Sequence, residues 1–287
     1  MRFSVLALAF VSLPACAQST DAPPTPDEVI TPTTTSPVTT HGAPGVSIRE
    51  TDTLLLGATE VRLVSHHHGG EPGDAAGTLA MLNLHDDEST SVDAALDVVR
   101  QSGGQVMELA HTGERNVTFR AGGTAYTADP NRMFTEAGRE RTLASLSTAS
   151  PDALSALAAF ADEVLEAYTA LDPAVVVTLH NNTEGRYSAA SYGPGGDYEG
   201  DAEAVTIHDG TDPDDFFFVT DRALYDALVS RGFNAVLQDN ARATDDGSLS
   251  VWAAQNGRPY VNVEAQHGHR EEQARMIRAL AEVLAEQ

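Results

Sequence analysis

Four short polar strings close hydrophobic stretches of this 287-residue chain, and each carries side chains able to do chemistry. They are Leu84-His85-Asp86-Asp87-Glu88, Asp129-Pro130-Asn131-Arg132, Leu179-His180-Asn181-Asn182 and Val261-Asn262-Val263-Glu264. His85 and Glu88 offer a nitrogen and an oxygen three residues apart, and His180 offers a second nitrogen much later in the chain. Together they can form a two-histidine, one-carboxylate zinc site that keeps its fourth position open, the arrangement of catalytic rather than structural zinc. Arg132 supplies a cation whose planar fork matches a carboxylate, and Asn131 adds amide donors. Glu264 is a spare carboxylate that can carry a proton. This is equipment for metal-assisted hydrolysis of an amide.

Each string also has a plainer reading. An H-x-x-E pair arises often by chance, and Asp86, Asp87 and Glu88 suit the positive end of a following helix. His180 ends a very apolar run and could be a satisfied core histidine. Arg132 could be a surface arginine at a helix start. Glu264 could be a salt-bridge partner, although a carboxylate at a buried strand end is costly unless paired or used.

The elements that must position these residues alternate between strand and helix. Strands are expected at Val61–Ser65, Leu79–Leu84, Gln105–Ala110, Ala174–Leu179, Phe216–Val219, Ala235–Leu237 and Tyr260–Val263. The continuous apolar run Ala174–Leu179 reads as a central strand buried on both faces. Val117–Arg120 and Thr124–Thr127 flank Gly122-Gly123 as a hairpin. Helices are expected from Ser89 or Thr90 to Gln101, from Ser150-Pro151 to about Leu171, from Asp221 to Ser230, and from Gly268 onward. The pattern predicts a three-layer α/β/α domain over residues 47–287 with a central mixed, largely parallel sheet. In such sheets ligands bind at the carboxyl ends of strands, where His85, His180 and Glu264 all fall.

Three further segments have weaker readings. His66-His67-His68 is expected in a loop or site wall after the first strand. The polar stretch from Glu184 to Gly196 is either a specificity lid or an ordinary surface loop. Asp212–Asp215 reads as a solvated acidic loop without the ligand pattern of a calcium site.

The chain carries 42 acidic and 17 basic residues, a formal charge of −25. Such a surface repels nucleic acid and anionic lipid, so neither is an expected partner. Residues 1–17 read as an export signal, with Arg2 before the apolar stretch Phe3–Leu13. Leu13-Pro14-Ala15-Cys16 resembles a bacterial lipobox with Cys16 as the lipidated residue, while Ala15-Cys16-Ala17 also fits an A-x-A cleavage site. Residues 18–46 are a Thr/Pro-rich linker. The expected location is therefore extracytoplasmic: a periplasmic or cell-envelope lipoprotein, or else a secreted protein. Membrane contact is expected only through the N-terminal lipid. Cys16 is the sole cysteine, which excludes an intramolecular disulfide.

The ordered set of strings resembles the zinc carboxypeptidase superfamily, especially its aspartoacylase and succinylglutamate desuccinylase branch. That branch has H-x-x-E, then D-x-N-R-x-F, then a strand ending in a histidine, then a V-E string before a glycine. Here His85 with Glu88, Asp129 to Phe134, His180 and Val263-Glu264 match in order over about residues 60 to 286. The resemblance implies a carboxypeptidase-like fold and one Zn2+ ion held by His85, Glu88 and His180. It implies Asn131 and Arg132 as binders of a substrate carboxylate and Glu264 as general base and acid. The substrate would be a small peptide or acylated amino acid with a free carboxylate. Two departures stand out. The family has glycines around the first histidine, as in G-x-H-G-x-E, where this chain has Asp86 and Asp87. The family also places a carbonyl-polarising arginine just before the N-R pair; here only Arg120 or Arg115, by the hairpin, is available. Without that arginine the scaffold would suit a lipid-anchored binding protein instead.

Overall fold

The computed structural model describes residues 47–69 and 79–286. The export signal, Cys16 and the linker lie outside the described residues. The apolar run before His180 becomes strand β7 (Val176–Asn182), buried at every position. β-Branched valines suit the pleated surface, and burial on both faces explains the absence of polar alternation.

The other strands are β1 (Ser47–Leu56), β2 (Thr59–His68), β3 (Ala80–Asn83), β4 (Gly104–Ala110), β5 (Val117–Ala121), β6 (Thr124–Ala128), β8 (Ala202–Thr206), β9 (Phe216–Val219), β10 (Ala235–Gln238) and β11 (Tyr260–Gln266). Nine of them form one sheet in the order β1-β2-β4-β3-β7-β11-β9-β10-β8, and β5 and β6 form a separate hairpin. The centre, β4-β3-β7-β11, is parallel. Antiparallel strands extend it on both sides, with β9 and β10 again parallel to each other. The mixed α/β sheet matches the expectation.

Helices α1 (Ser89–Ser102), α4 (Arg222–Ser230) and α6 (Arg270–Ala285) cover one face, where they pack on Met81, Val177, Leu179, Phe217, Val261 and Val263. Helices α3 (Pro151–Thr169) and α5 (Leu249–Gln255), with α2 (Glu136–Leu146) and the hairpin, lie on the other, against Leu82, Val176, Phe216 and Phe218. The period of two along each strand thus splits consecutive residues between two cores. Three helix starts carry side-chain caps: Thr135 accepts from the Gly138 amide, Ser150 from Ala153, and Asp221 from Leu224. Such caps are each worth about 1 kcal/mol.

Several local expectations change. His66, His67 and His68 are not in a loop. They end β2, paired on one side with β1 and on the other with β4. A run of histidines lacks a turn former, and the ladder simply continues through it. His180 and Glu264 lie inside strands that run two residues further, because Asn181, Asn182, Ala265 and Gln266 continue the parallel pairing. The acidic loop before β9 is less solvated than expected: Asp214 and Asp215 are buried. Asp214 accepts from the Gly185 amide and Asp215 from the Gln266 amide, so their charges hold neighbouring backbone.

Candidate metal centre

The register of β7 and β11 sets His180 beside Glu264, and β3 on the other side of β7 leads directly to His85. The two-residue period puts His180 and Glu264 on the same face as Val176 and Tyr260. From β3 the chain turns through Asp86 and Asp87, and Glu88 N-caps α1. That turn, closed by the Glu88 amide donating to the His85 carbonyl at 3.1 Å, brings both side chains to one point.

The three expected ligands converge. Glu88 Oε1 lies 2.9 Å from His85 Nδ1, and Glu88 Oε2 lies 2.9 Å from His180 Nδ1. The two Nδ1 atoms are 3.1 Å apart. One donor atom from each residue falls within 4.8 Å of the others, and all three residues are buried, His85 and Glu88 at 1% exposure and His180 at 5%. Ligands sharing one tetrahedral ion at bonds near 2 Å stand roughly 3.3 Å apart. Two imidazoles and a carboxylate suit zinc in a catalytic setting. The residues therefore fit the ion that the motifs imply.

The surroundings orient these groups. His85 Nε2 lies 2.8 Å from Asp129 Oδ1, the carboxylate–histidine pairing that fixes ring orientation in metal sites. Asp129 itself accepts from the Asn131 amide as cap of a short 3-10 turn, Pro130–Arg132. Burial alone would push the His85 imidazole down, but Glu88 and Asp129 outweigh it and hold the ring up at about 9. Burial would raise the Glu88 carboxyl, yet His85 and His180 keep it well below its ordinary value. His180 is held down by burial, which Glu88 offsets only in part. The group thus starts as a buried, mutually compensated charge cluster.

Glu264 differs. It is 4% exposed, and its only side-chain hydrogen bond among the described residues comes from Asn262 Nδ2 at 2.8 Å. Burial, with the nearby negative charge of Glu88, pushes its carboxyl up to about 8. A carboxylate tuned toward neutrality is suited to take a proton and return it. Burial, Tyr192 and Glu264 raise the Tyr187 phenol well above its ordinary value. Tyr187 and Tyr192 share a hydroxyl contact at 2.7 Å, and their rings lie tilted against Phe216 and Phe218 respectively. The polar stretch after His180 is therefore an ordered wall beside Glu264, pinned by the Ala189 amide donating to the Pro213 carbonyl.

The substrate-binding candidates separate. Arg132 is half-buried, donates to the Asn131 carbonyl at 2.7 Å, and faces Asp246 at 3.4 Å. Asn131 is at the site but already engaged: its Oδ1 accepts from the Leu249 amide, and its Nδ2 lies 3.3 Å from His180 Nε2. Arg120 is not brought to the site. Val117, Phe119 and Ala121 face the core, so Arg120 on alternate phase faces outward and donates to the Gly123 carbonyl of its own turn. Arg115 occupies the place instead. Its Nη1 lies 2.5 Å from Glu88 Oε1 and its Nη2 3.6 Å from Asp129 Oδ2.

Sequence reasoning missed the segment around Asp246. It reaches the Asn-Arg turn through a glycine–glycine approach: a Cβ on Gly138 or Gly247 would collide with the other's backbone. Gly247 has φ +83°, and its carbonyl accepts from the Phe134 amide at 3.0 Å. The Asp-Asp-Gly-Ser string was a visible turn signal, but nothing in it pointed to Arg132.

No family model matches the chain, and no curated protein matches it. Solved structures do. The murein-tripeptide amidase of Escherichia coli O157 is 16% identical with a TM-score of 0.44, over 87% of this chain and 96% of that one. A Shewanella frigidimarina protein described as a candidate succinylglutamate desuccinylase/aspartoacylase is 12% identical with a TM-score of 0.41, over 82% and 70%. A metallo-carboxypeptidase of Pseudomonas aeruginosa is 8% identical with a TM-score of 0.32, over 79% and 60%. At such identities and TM-scores, the chemistry must be read from this chain's own side chains.

Proposed function

We propose that this chain is an extracytoplasmic, zinc-dependent hydrolase that cleaves an amide bond next to a free carboxylate, as a carboxypeptidase or N-acyl-amino-acid deacylase does. The observation that carries this reading is the convergence of His85, Glu88 and His180, buried, with Glu264 beside them on the neighbouring strand. A fold alone requires no such cluster, and burying it uncompensated by function is expensive.

His85, Glu88 and His180 would hold the ion, which when bound supplies a Lewis acid that polarises the carbonyl and acidifies water. Asp129 keeps the His85 ring in its ligating orientation. Glu264 takes the proton of the attacking water on a carboxylate oxygen and delivers it to the leaving amine. Arg115, next to Glu88, is the cation placed to support the carbonyl oxygen as charge develops. Arg132 orients the substrate through its free carboxylate, and the Tyr187–Tyr192 wall shields Glu264 from bulk water. Export, with Cys16 as lipid anchor or as part of a cleavage site, belongs to the same proposal; incorporation of labelled palmitate at Cys16 tests the anchor.

Hydrolysis of a panel of dipeptides and N-acyl amino acids by wild-type and Glu264→Gln protein tests the activity. The expected result is turnover in the wild type and about a 10²- to 10⁴-fold fall in kcat in the variant, with zinc retained. Zinc and ligand binding without any turnover in the wild type would favour the binding-protein alternative.

A further inference from the structure

We infer that Asp86 is a positioning residue for Arg115, acting by anchoring the loop that carries it. The inference rests on the hydrolase reading above and concerns the aspartate standing where the resembled family has a glycine. Residues 111–116 join β4 to β5 with no regular structure. Asp86 Oδ2 accepts from two of their amides, His111 N at 2.6 Å and Gly113 N at 2.7 Å. Among the described residues, these are the only hydrogen bonds that tie the backbone of this loop to another segment. Gly113 sits at φ +77°, a conformation that lets alternate amides turn toward one oxygen.

Arg115 follows two residues later. Its guanidinium reaches Glu88 Oε1 and Asp129 Oδ2 while 43% of the side chain remains exposed. A half-exposed arginine has little packing to fix it, so its aim depends on the backbone from which it projects. Asp86 precedes Glu88 by two residues on the turn that follows β3. One turn therefore supplies a metal ligand pointing inward and, from Asp86, the anchor of the loop that brings a cation to that ligand. The extra negative charge that the sequence places beside His85 is met by two N–H groups and has a structural task. A glycine at this position could not perform it.

The test compares Asp86→Ala, Asp86→Asn and Arg115→Ala, singly and with Asp86→Ala and Arg115→Ala combined, by zinc content, steady-state kinetics and amide hydrogen exchange. An asparagine oxygen can accept the same two N–H groups. The expected result for Asp86→Ala is a fall in kcat of about 10- to 100-fold, the scale of a misplaced catalytic group, with KM changed less than about threefold and zinc retained. Asp86→Asn restores most of the rate, and Asp86→Ala adds no further loss in the Arg115→Ala background. Exchange at His111 and Gly113 rises in Asp86→Ala but not in Asp86→Asn. Unchanged exchange at those amides, an equal loss in both backgrounds, or an asparagine variant as impaired as the alanine would overturn the inference. If the wild type hydrolyses nothing, the hydrolase reading fails, while the exchange comparison still decides whether Asp86 anchors the loop.

Discussion

The site has two halves built on different principles. His180 and Glu264 project from adjacent strands at the centre of the sheet, His85 from the turn just after β3, and Glu88 from the start of a helix. They are buried; a continuous ladder holds the backbone of His180 and Glu264, and a tight turn closed by the Glu88 amide holds that of His85 and Glu88. Arg115 and Arg132 project from a loop and a 3-10 turn, stay partly exposed, and rest on a few polar contacts: Glu88 and Asp129 with Arg115, the Asn131 carbonyl and Asp246 with Arg132. In the proposed reading, the half that would hold an ion and move a proton is thus fixed mainly by the sheet and the turn beside it. The half that would recognise a charged substrate is fixed only through a few polar contacts. Small polar changes should leave the first half standing and detune the second.

The sharpest way to break that contrast is at the two hairpin-side arginines. Arg115→Ala should lower kcat by about 10²- to 10³-fold, the usual loss for one donor to a developing oxyanion, with zinc content unchanged. Arg120→Ala, at an outward-facing position, should alter kcat/KM by less than about threefold. Equal effects would mean that the loop does not select between them.

A second prediction concerns stability of the metal-free protein. Glu264 is raised to about 8 when folded, against an ordinary carboxyl value of 4.5 when unfolded. The unfolded chain therefore releases this proton at lower pH than the folded one. The associated stability is complete below about pH 4.5 and is lost as pH rises through about 8. Glu264→Gln cannot ionise, so the variant should gain on the wild type across that window, by roughly 2–4 kcal/mol at its upper end. Denaturant melts of metal-free protein at pH 5 and pH 9 measure the difference; a constant gap would contradict the buried, uncompensated carboxyl.

The smallest effect is expected at Asp246. Its pairing with Arg132 is half-exposed and 3.4 Å long, worth well under about 1 kcal/mol. Arg132 keeps its bond to the Asn131 carbonyl without it. Asp246→Asn should therefore remove a competitor for the guanidinium and lower KM for carboxylate-bearing substrates by about two- to fivefold, with kcat unchanged. A raised KM would show that Asp246 holds Arg132 in place.

The same contrast explains what could be read before any coordinates. The ligand half was legible because strand periodicity and order carry it: apolar runs marked β3, β7 and β11, and His85, His180 and Glu264 followed from them. The exact strand ends were not, since Asn181-Asn182 and Ala265-Gln266 look like loop yet pair. The arginine half was only partly legible. Arg132 was marked by its Asp-Pro-Asn string, but Arg115 and Arg120 were equally near the hairpin. The alternation Val117, Phe119, Ala121 was the available signal that Arg120 turns outward. The roles of Asp86 and Asp246 depend on contacts across loops, for which a single sequence has no periodicity.

The central claim is that His85, Glu88 and His180 share one ion. Zinc titration of metal-free protein, read by calorimetry and elemental analysis, tests it most directly in the wild type and in His180→Ala. One zinc per chain in the wild type, with binding lost or weakened by orders of magnitude in the variant, is the predicted result. A wild type that takes up no zinc, or a His180→Ala protein that binds it equally well, would contradict the account.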